Sequence, residues 1–139
     1  MELIACIKLP AVIANLQEFL KTASSVALSR GFSAERISEI ELVIEEVFVN
    51  IANYAYEGGQ GDVEMLIKAD EAGNLHVEFI DEGVPFDSTS VAEPDLEADV
   101  EERNIGGLGI FFMKQLMADV CYSREADKNS LKFTVVPSA

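Results

Sequence analysis

The 139-residue chain is poor in cysteine, histidine and positive charge, and each shortage removes a class of function. Its two cysteines, Cys6 and Cys121, fall inside apolar, strand-like runs with no metal-ligand spacing. They are expected to be reduced core residues, which argues against a disulfide framework. His76 is the single histidine; with no second histidine and no cysteine near it, it reads as a plain strand residue. Ten Lys and Arg stand against 25 Asp and Glu, a formal net charge of −15. That balance argues against binding a nucleic-acid backbone or an anionic membrane, because both need a basic patch. A nucleotide is still allowed, since backbone N–H groups and Mg²⁺ can meet its phosphates, and a basic protein partner would be steered towards the chain. No stretch approaches the ~20 apolar residues of a membrane span. The start, Met1-Glu2-Leu3-Ile4, has no basic region ahead of an apolar run, so the chain is expected to be cytoplasmic.

Hydrophobic residues make up 49% and charged ones 25%, the composition of one globular domain over residues 1–139. Glu2 to Leu9 reads as a strand ended by Pro10. Ala11 to Arg30 repeats apolar residues at three-and-four spacing and is expected to be an amphipathic helix with Gly31 as its C′ residue. Ser33 can cap a second helix that runs to about Tyr56. Asp62–Ala69 and Leu75–Ile80 alternate as a hairpin across Asp70-Glu71-Ala72-Gly73-Asn74. Residues 88–104 show no period and carry many acids, as a lid or a disordered loop does. Phe111–Met117 reads as a short apolar helix. Val120–Arg124 and Leu131–Val136 form a second hairpin across Ala126-Asp127-Lys128-Asn129. The order gives an α+β fold, a mostly antiparallel sheet with helices on one face.

The second helix holds the least ordinary stretch. At about 100° per residue, Ile37, Ile40, Ile44, Val47, Phe48, Ile51 and Ala55 form one stripe. Glu46, Asn50, Asn53 and Glu57 gather on the far side together with Leu42, Val43 and Val49. Two readings stay open for that side: a wet face with stray apolar residues, or a second enclosed surface.

Two more elements bear on the choice. Asp81-Glu82-Gly83-Val84-Pro85-Phe86-Asp87 follows a strand, and Ile105-Gly106-Gly107-Leu108-Gly109-Ile110 leads into a helix. Free N–H groups and the dipole at that helix start favour an anion, and the glycines let phosphates approach the backbone. Asn50 offers a neutral oxygen suited to Mg²⁺, Glu46 can take a proton from an attacking hydroxyl, and Asp81 can accept a hydrogen bond from an exocyclic amine. Gly83 leaves room for the ring. Each element alone has a plain structural explanation, and their order makes the combination specific.

With these motifs the chain resembles the Bergerat-fold (GHKL, histidine-kinase-like) ATPases, and within them it is similar to the bacterial anti-sigma-factor serine/threonine kinases. Glu46-x-x-x-Asn50 matches the N box, Asp81 to Asp87 the first glycine box, and Glu101 to Ile110 the lid end and second glycine box. The resemblance implies a two-layer sandwich: a mixed, mostly antiparallel five-stranded sheet, about three helices on one face, and a lid near residues 87–105. It implies ATP and Mg²⁺ as cofactors, with Asn50 as metal ligand and Glu46 as general base. Asp81 would contact adenine, and Gly83, Gly106, Gly107, Leu108 and Gly109 would line the nucleotide. Arg103 would contact phosphate, and Asn53 adds a second amide among the nucleotide-binding candidates. The implied partners are an anti-sigma-factor antagonist, phosphorylated on Ser or Thr, a sigma factor that is sequestered, and a second copy of the chain in a homodimer. The alternative is a nucleotide-responsive binding module without kinase activity. The chain departs from the subgroup at Tyr54, where histidine is frequent, and from the broader family at Pro85.

Overall fold

The computed structural model describes residues 1–56, 59–85 and 113–137. Strand β1 (Glu2–Pro10) leads through a short 3-10 turn (Ile13–Asn15) into helix α1 (Leu16–Ser29) and helix α2 (Ala34–Tyr54). Strands β2 (Asp62–Ala69) and β3 (Leu75–Asp81) follow, and β4 (Ala118–Glu125) and β5 (Lys128–Val135) close the chain. The strand order is β1-β2-β3-β5-β4 and every neighbouring pair is antiparallel, so the sheet is not mixed. Residues 113–116 form a helical turn, which is as much of the expected third helix as lies within the described residues. The lid near 87–105, with Arg103, Gly106, Gly107, Leu108 and Gly109, falls outside them. Among the described residues, no helix is long and apolar enough to cross a membrane.

Alternation decides which face of the sheet is covered. Val63, Met65 and Ile67 on β2, Leu75, Val77 and Phe79 on β3, and Leu131, Phe133 and Val135 on β5 are all buried on one side. α1 and α2 lie over that side and share one core with it. The other side carries charge and polar groups, such as Glu64, Lys68, Glu78 and Lys132. Cys6 and Cys121 are on it as well: both are exposed, against the expectation of core residues. The reason is their place on β1 and β4, the two edge strands, at outward positions of the alternation.

α2 buries one broad stripe, and its far side is only partly covered. Ile40, Val43, Ile44, Val47 and Phe48 are all at or below 2% exposure. The Phe48 ring meets Phe19 of α1 at 4.9 Å, tilted by 50°. Of the three apolar residues on the far side, Val43 is buried and Val49 partly so, while Leu42 remains exposed. Ser33 caps the helix through its hydroxyl, which accepts the Arg36 N–H at 3.1 Å. α1 starts later than its periodicity indicated, at Leu16, because the chain first turns through residues 13–15. Gly31 closes it with φ of 83°, a conformation natural to glycine.

The two hairpins differ in their turns. Between β2 and β3 the Asp70 carboxylate accepts the Ala72 and Asn74 N–H groups at 2.9 and 3.0 Å. Between β4 and β5 the turn is only Ala126-Asp127, with φ of 51° and 63°, the signature of a tight hairpin turn. Lys128 and Asn129 therefore belong to the strand and not to the loop.

Arg36 is an unexpected core member at 5% exposure. Its Nε donates to the Val136 carbonyl and its Nη2 to the Leu116 carbonyl, both at 2.9 Å, and its Nη1 meets Glu39 at 3.2 Å. One guanidinium thus ties the start of α2 to the end of β5 and to the turn at residues 113–116. Arg36→Ala strips the donors from two backbone carbonyls, and we expect a loss of about 2–4 kcal/mol in a urea unfolding curve. A midpoint within error of the wild type would contradict this role.

Candidate functional site

A pocket opens where the C-terminal half of α2 crosses the ends of β3 and β5. Val47, Asn50, Ile51 and Ala55 line it from α2, Phe79 and Asp81 from β3, and Asn129 and Leu131 from β5; Val84 and Tyr122 complete the wall. Apolar side chains form most of the lining and three polar ones, Asn50, Asp81 and Asn129, converge in it. This is the usual chemistry of a small-ligand site.

The sheet register creates the polar end. Asp81 pairs directly with Asn129 across β3 and β5, and both side chains point to the covered face. Asn129 Nδ2 donates to Asp81 Oδ1 at 2.9 Å and to the Val84 carbonyl at 2.8 Å. The Gly83 N–H donates to the same Asp81 oxygen at 2.9 Å. Tyr122 and Arg124 of β4 both donate to Asn129 Oδ1, the arginine at 3.1 Å, and Arg124 also holds the Gly83 carbonyl at 2.9 Å. The turn after β3 is therefore pinned from two strands at once.

Helix α2 pins it from above. Val84 N–H donates to the Ala55 carbonyl at 2.8 Å. A Cβ at Gly83 would sit 2.2 Å from that carbonyl oxygen and 2.5 Å from the Ala55 Cβ. Glycine is thus required at position 83 by the approach of α2, a reason that holds with or without a ligand ring beside it. Tyr56 adds a further tie: its hydroxyl donates to the Asp62 carbonyl at 2.5 Å and accepts the Glu82 N–H at 2.8 Å.

On α2 itself, Asn50 is 8% exposed and its Nδ2 donates to Glu46 Oε1 at 3.4 Å. That bond leaves Asn50 Oδ1 as an acceptor, the oxygen a cation would use. Glu46 is half-buried, and burial raises its pKa above the ordinary carboxylate value; the Asn50 amide acts against that rise and the neighbouring Glu45 adds to it. Asn53 is exposed and is not among the residues lining the pocket. Tyr54 is 44% exposed. The structure thus brings Asn50, Asp81 and Gly83 together and sets Glu46 one turn before Asn50. Among the described residues, no three His, Cys, Asp or Glu side chains converge to hold a metal by themselves.

Asn129, Tyr122 and Arg124 were not singled out by the sequence. The signal that could have found them is the strict alternation of the last strand, which puts Asn129 on the buried face beside Asp81 once the turn is placed at Ala126-Asp127.

Comparison with known proteins follows the same lines. The model of the histidine kinase-like ATPase domain matches residues 9–135. The serine-protein kinase RsbW of Listeria monocytogenes is 35% identical over 104 residues, covering 70% of this chain and 64% of the relative. The chain therefore spans less than two thirds of that relative's length. The serine-protein kinase RsbW of Bacillus cereus is 29% identical over 117 residues, covering 81% of this chain and 72% of the relative. Among solved structures, the RsbU and RsbW domains of Rv1364c from Mycobacterium tuberculosis superpose with a TM-score of 0.63 at 15% identity, covering 95% of this chain and 32% of that one. The histidine kinase domain of the Erythrobacter litoralis EL346 blue-light activated kinase superposes with a TM-score of 0.57 at 19% identity, covering 88% of this chain and 61% of that one. These last two likenesses establish the fold.

The close approach of Gly83 to α2 yields a direct test. Gly83→Ala places a methyl group against backbone that has little freedom to yield, and we expect a stability loss on the order of 2–3 kcal/mol in thermal or urea unfolding. An unchanged melting temperature would mean that the turn and the helix are free to separate.

Proposed function

Because the chain belongs to the histidine kinase-like ATPase domain family, we propose that its pocket binds ATP with Mg²⁺ and that the protein is a serine/threonine kinase acting on a protein substrate. The observation that carries this reading is the convergence of Asn50, Asp81 and Asn129 in one apolar-walled pocket between α2 and the sheet. The apolar side chains suit the faces of a purine, and Asp81 offers an acceptor to its exocyclic amine. Asn50 fits a metal ligand, because its amide nitrogen is already committed to Glu46 and its oxygen is not. A magnesium ion takes few protein oxygens and completes its shell with phosphate and water, so one neutral oxygen here is enough.

Bound ATP and Mg²⁺ would supply the transferable phosphoryl group and neutralise its charge. The chain's own contribution is positioning. Glu46 stands one turn before Asn50, where it would take the proton from the incoming Ser or Thr hydroxyl as the new P–O bond forms and the bond from the γ-phosphorus to the bridging oxygen breaks, releasing ADP. A raised pKa suits a group that must accept a proton near neutral pH and then release it. Gly106, Gly107, Leu108 and Gly109 would meet the phosphates through backbone N–H groups, and Arg103 would add charge; Asn53 is exposed and does not line the pocket, and no role is assigned to it.

The relatives' name, serine-protein kinase, supports the reaction class. The substrate we propose is an anti-sigma-factor antagonist, and the protein sequestered once that antagonist is phosphorylated a sigma factor, with the chain acting as a homodimer in the cytoplasm. A second reading, nucleotide-dependent partner capture without phosphotransfer, draws on the seven carboxylates between Asp87 and Glu102, which would repel a triphosphate wherever they faced it.

Radiolabelled ATP, Mg²⁺ and candidate antagonist domains test both readings. Wild-type protein should yield a phosphoprotein. Glu46→Gln should lower the rate about 100-fold or more while leaving ATP affinity within about threefold. The sign of the Glu46 shift sets two further expectations. Its base form fills only above the raised pKa, so activity should fall with pH at a higher point than an ordinary carboxylate would give. Folding disfavours the charged form, a cost felt as pH rises through the raised pKa, so Glu46→Gln should be no less stable than the wild type at pH 8. Phosphotransfer undiminished in Glu46→Gln removes the base role, and nucleotide-dependent capture with no phosphoprotein at all selects the second reading.

A further inference from the structure

We propose that Arg124 and Tyr122, acting through Asn129, are positioning residues that hold the Asp81 carboxylate with one oxygen turned to a bound purine, and so sharpen selection at position 6 of the ring. This deepens the ATP-binding reading and rests on it.

The argument turns on which way round the Asn129 amide lies. An arginine guanidinium has donors only. Arg124 Nη1 lies 3.1 Å from the Asn129 side chain, so the atom it faces must be the oxygen. The Tyr122 hydroxyl donates to that same oxygen. Nδ2 is thereby turned the other way, towards Asp81 Oδ1 at 2.9 Å and the Val84 carbonyl at 2.8 Å, both of which accept. With the Gly83 N–H, Asp81 Oδ1 then receives two donors and is fully engaged. Among the described residues Oδ2 has no partner and is left as the acceptor for the pocket. An acceptor at this place pairs with a ring amine and opposes a ring carbonyl.

Support therefore passes along one chain, from Arg124 and Tyr122 to Asn129 and from Asn129 to Asp81. Asp81 and the Val84 carbonyl both accept, so the amide keeps its direction if the two donors on β4 are lost, but Asn129 is then no longer braced from β4 and holds the carboxylate less firmly. Arg124 is well suited to the task because the same nitrogen that orients Asn129 also holds the Gly83 carbonyl, at 2.9 Å. The turn and the amide are thus fixed by one charged group that never needs to touch the ligand.

The test is the ratio of affinities for ATP and inosine triphosphate, which carry an amine and a carbonyl at position 6, measured by titration calorimetry with Mg²⁺. Wild-type protein should favour ATP. Arg124→Met and Tyr122→Phe should each shrink the ratio, the arginine change by about tenfold as one charge-assisted bond is lost. Asn129→Asp sets an acceptor against Asp81 Oδ1 and should shrink it by about 100-fold. A purely structural weakening would lower both affinities by one factor and leave the ratio alone, and Tyr122→Phe, the mildest change, keeps the comparison open should Asn129→Asp fail to fold. An unchanged ratio in Arg124→Met and Tyr122→Phe, with the wild type still selective for ATP, overturns this inference and leaves the ATP-binding reading standing. Wild-type protein that binds both equally overturns this inference alone, and wild-type protein that binds neither overturns the ATP-binding reading and this inference with it.

Discussion

Helix α2 ends against the turn that follows β3, and the two are joined there by the Val84 N–H to Ala55 carbonyl bond at 2.8 Å. The approach is close enough that position 83 has no room for a side chain. Everything polar in the pocket depends on that junction. It sets the distance between Asn50, on the helix, and Asp81, at the end of the strand. From below, the Asp81–Asn129 pair fixes the same turn to β5, and Arg124 fixes it to β4. The pocket is thus a seam between the two layers of the fold, and packing forces that hold the layers together also hold its polar groups in register.

Such an arrangement tolerates a half-buried Glu46. Burial opposes its charge, and the cost is offset only in part by the Asn50 amide. A carboxylate kept in that condition by the neighbouring core contributes nothing to stability by its charge. Arg36 shows the opposite use of a buried charge. Its guanidinium is saturated by two carbonyls and Glu39, and it joins three segments distant in sequence.

Much of this was legible in the sequence, for identifiable reasons. The alternation of Val63, Met65 and Ile67, and of Leu75, Val77 and Phe79, fixed strand identity and the covered face together. Asn50 and Asp81 stood out because amide and carboxylate groups are rare among such apolar neighbours. Asn129 did not, because it lies beside a turn that uses Ala126 and Asp127 at positive φ, where glycine or asparagine is the usual signal. Reading the loop two residues too long moved Asn129 off the strand and out of the pocket. Arg36 was silent because an arginine in the first turn of a helix is normally solvated. The cysteines misled for a related reason: local hydrophobicity marks a strand, but only strand order shows that β1 and β4 are edges. Asn53 lies one turn beyond Asn50 on the same side of α2, where the sequence placed it, but it is exposed and does not line the pocket.

The central claim is that the seam between α2 and the turn after β3 is where a nucleotide binds. An amide NMR titration of the wild-type protein with Mg²⁺ and a non-hydrolysable ATP analogue tests it most directly. The account predicts shifts among the described residues centred on Asn50, Gly83, Val84 and Asn129, with the outward residues Lys68 and Lys132 unmoved. Shifts centred on that open sheet face, or no shifts at saturating nucleotide, would contradict it.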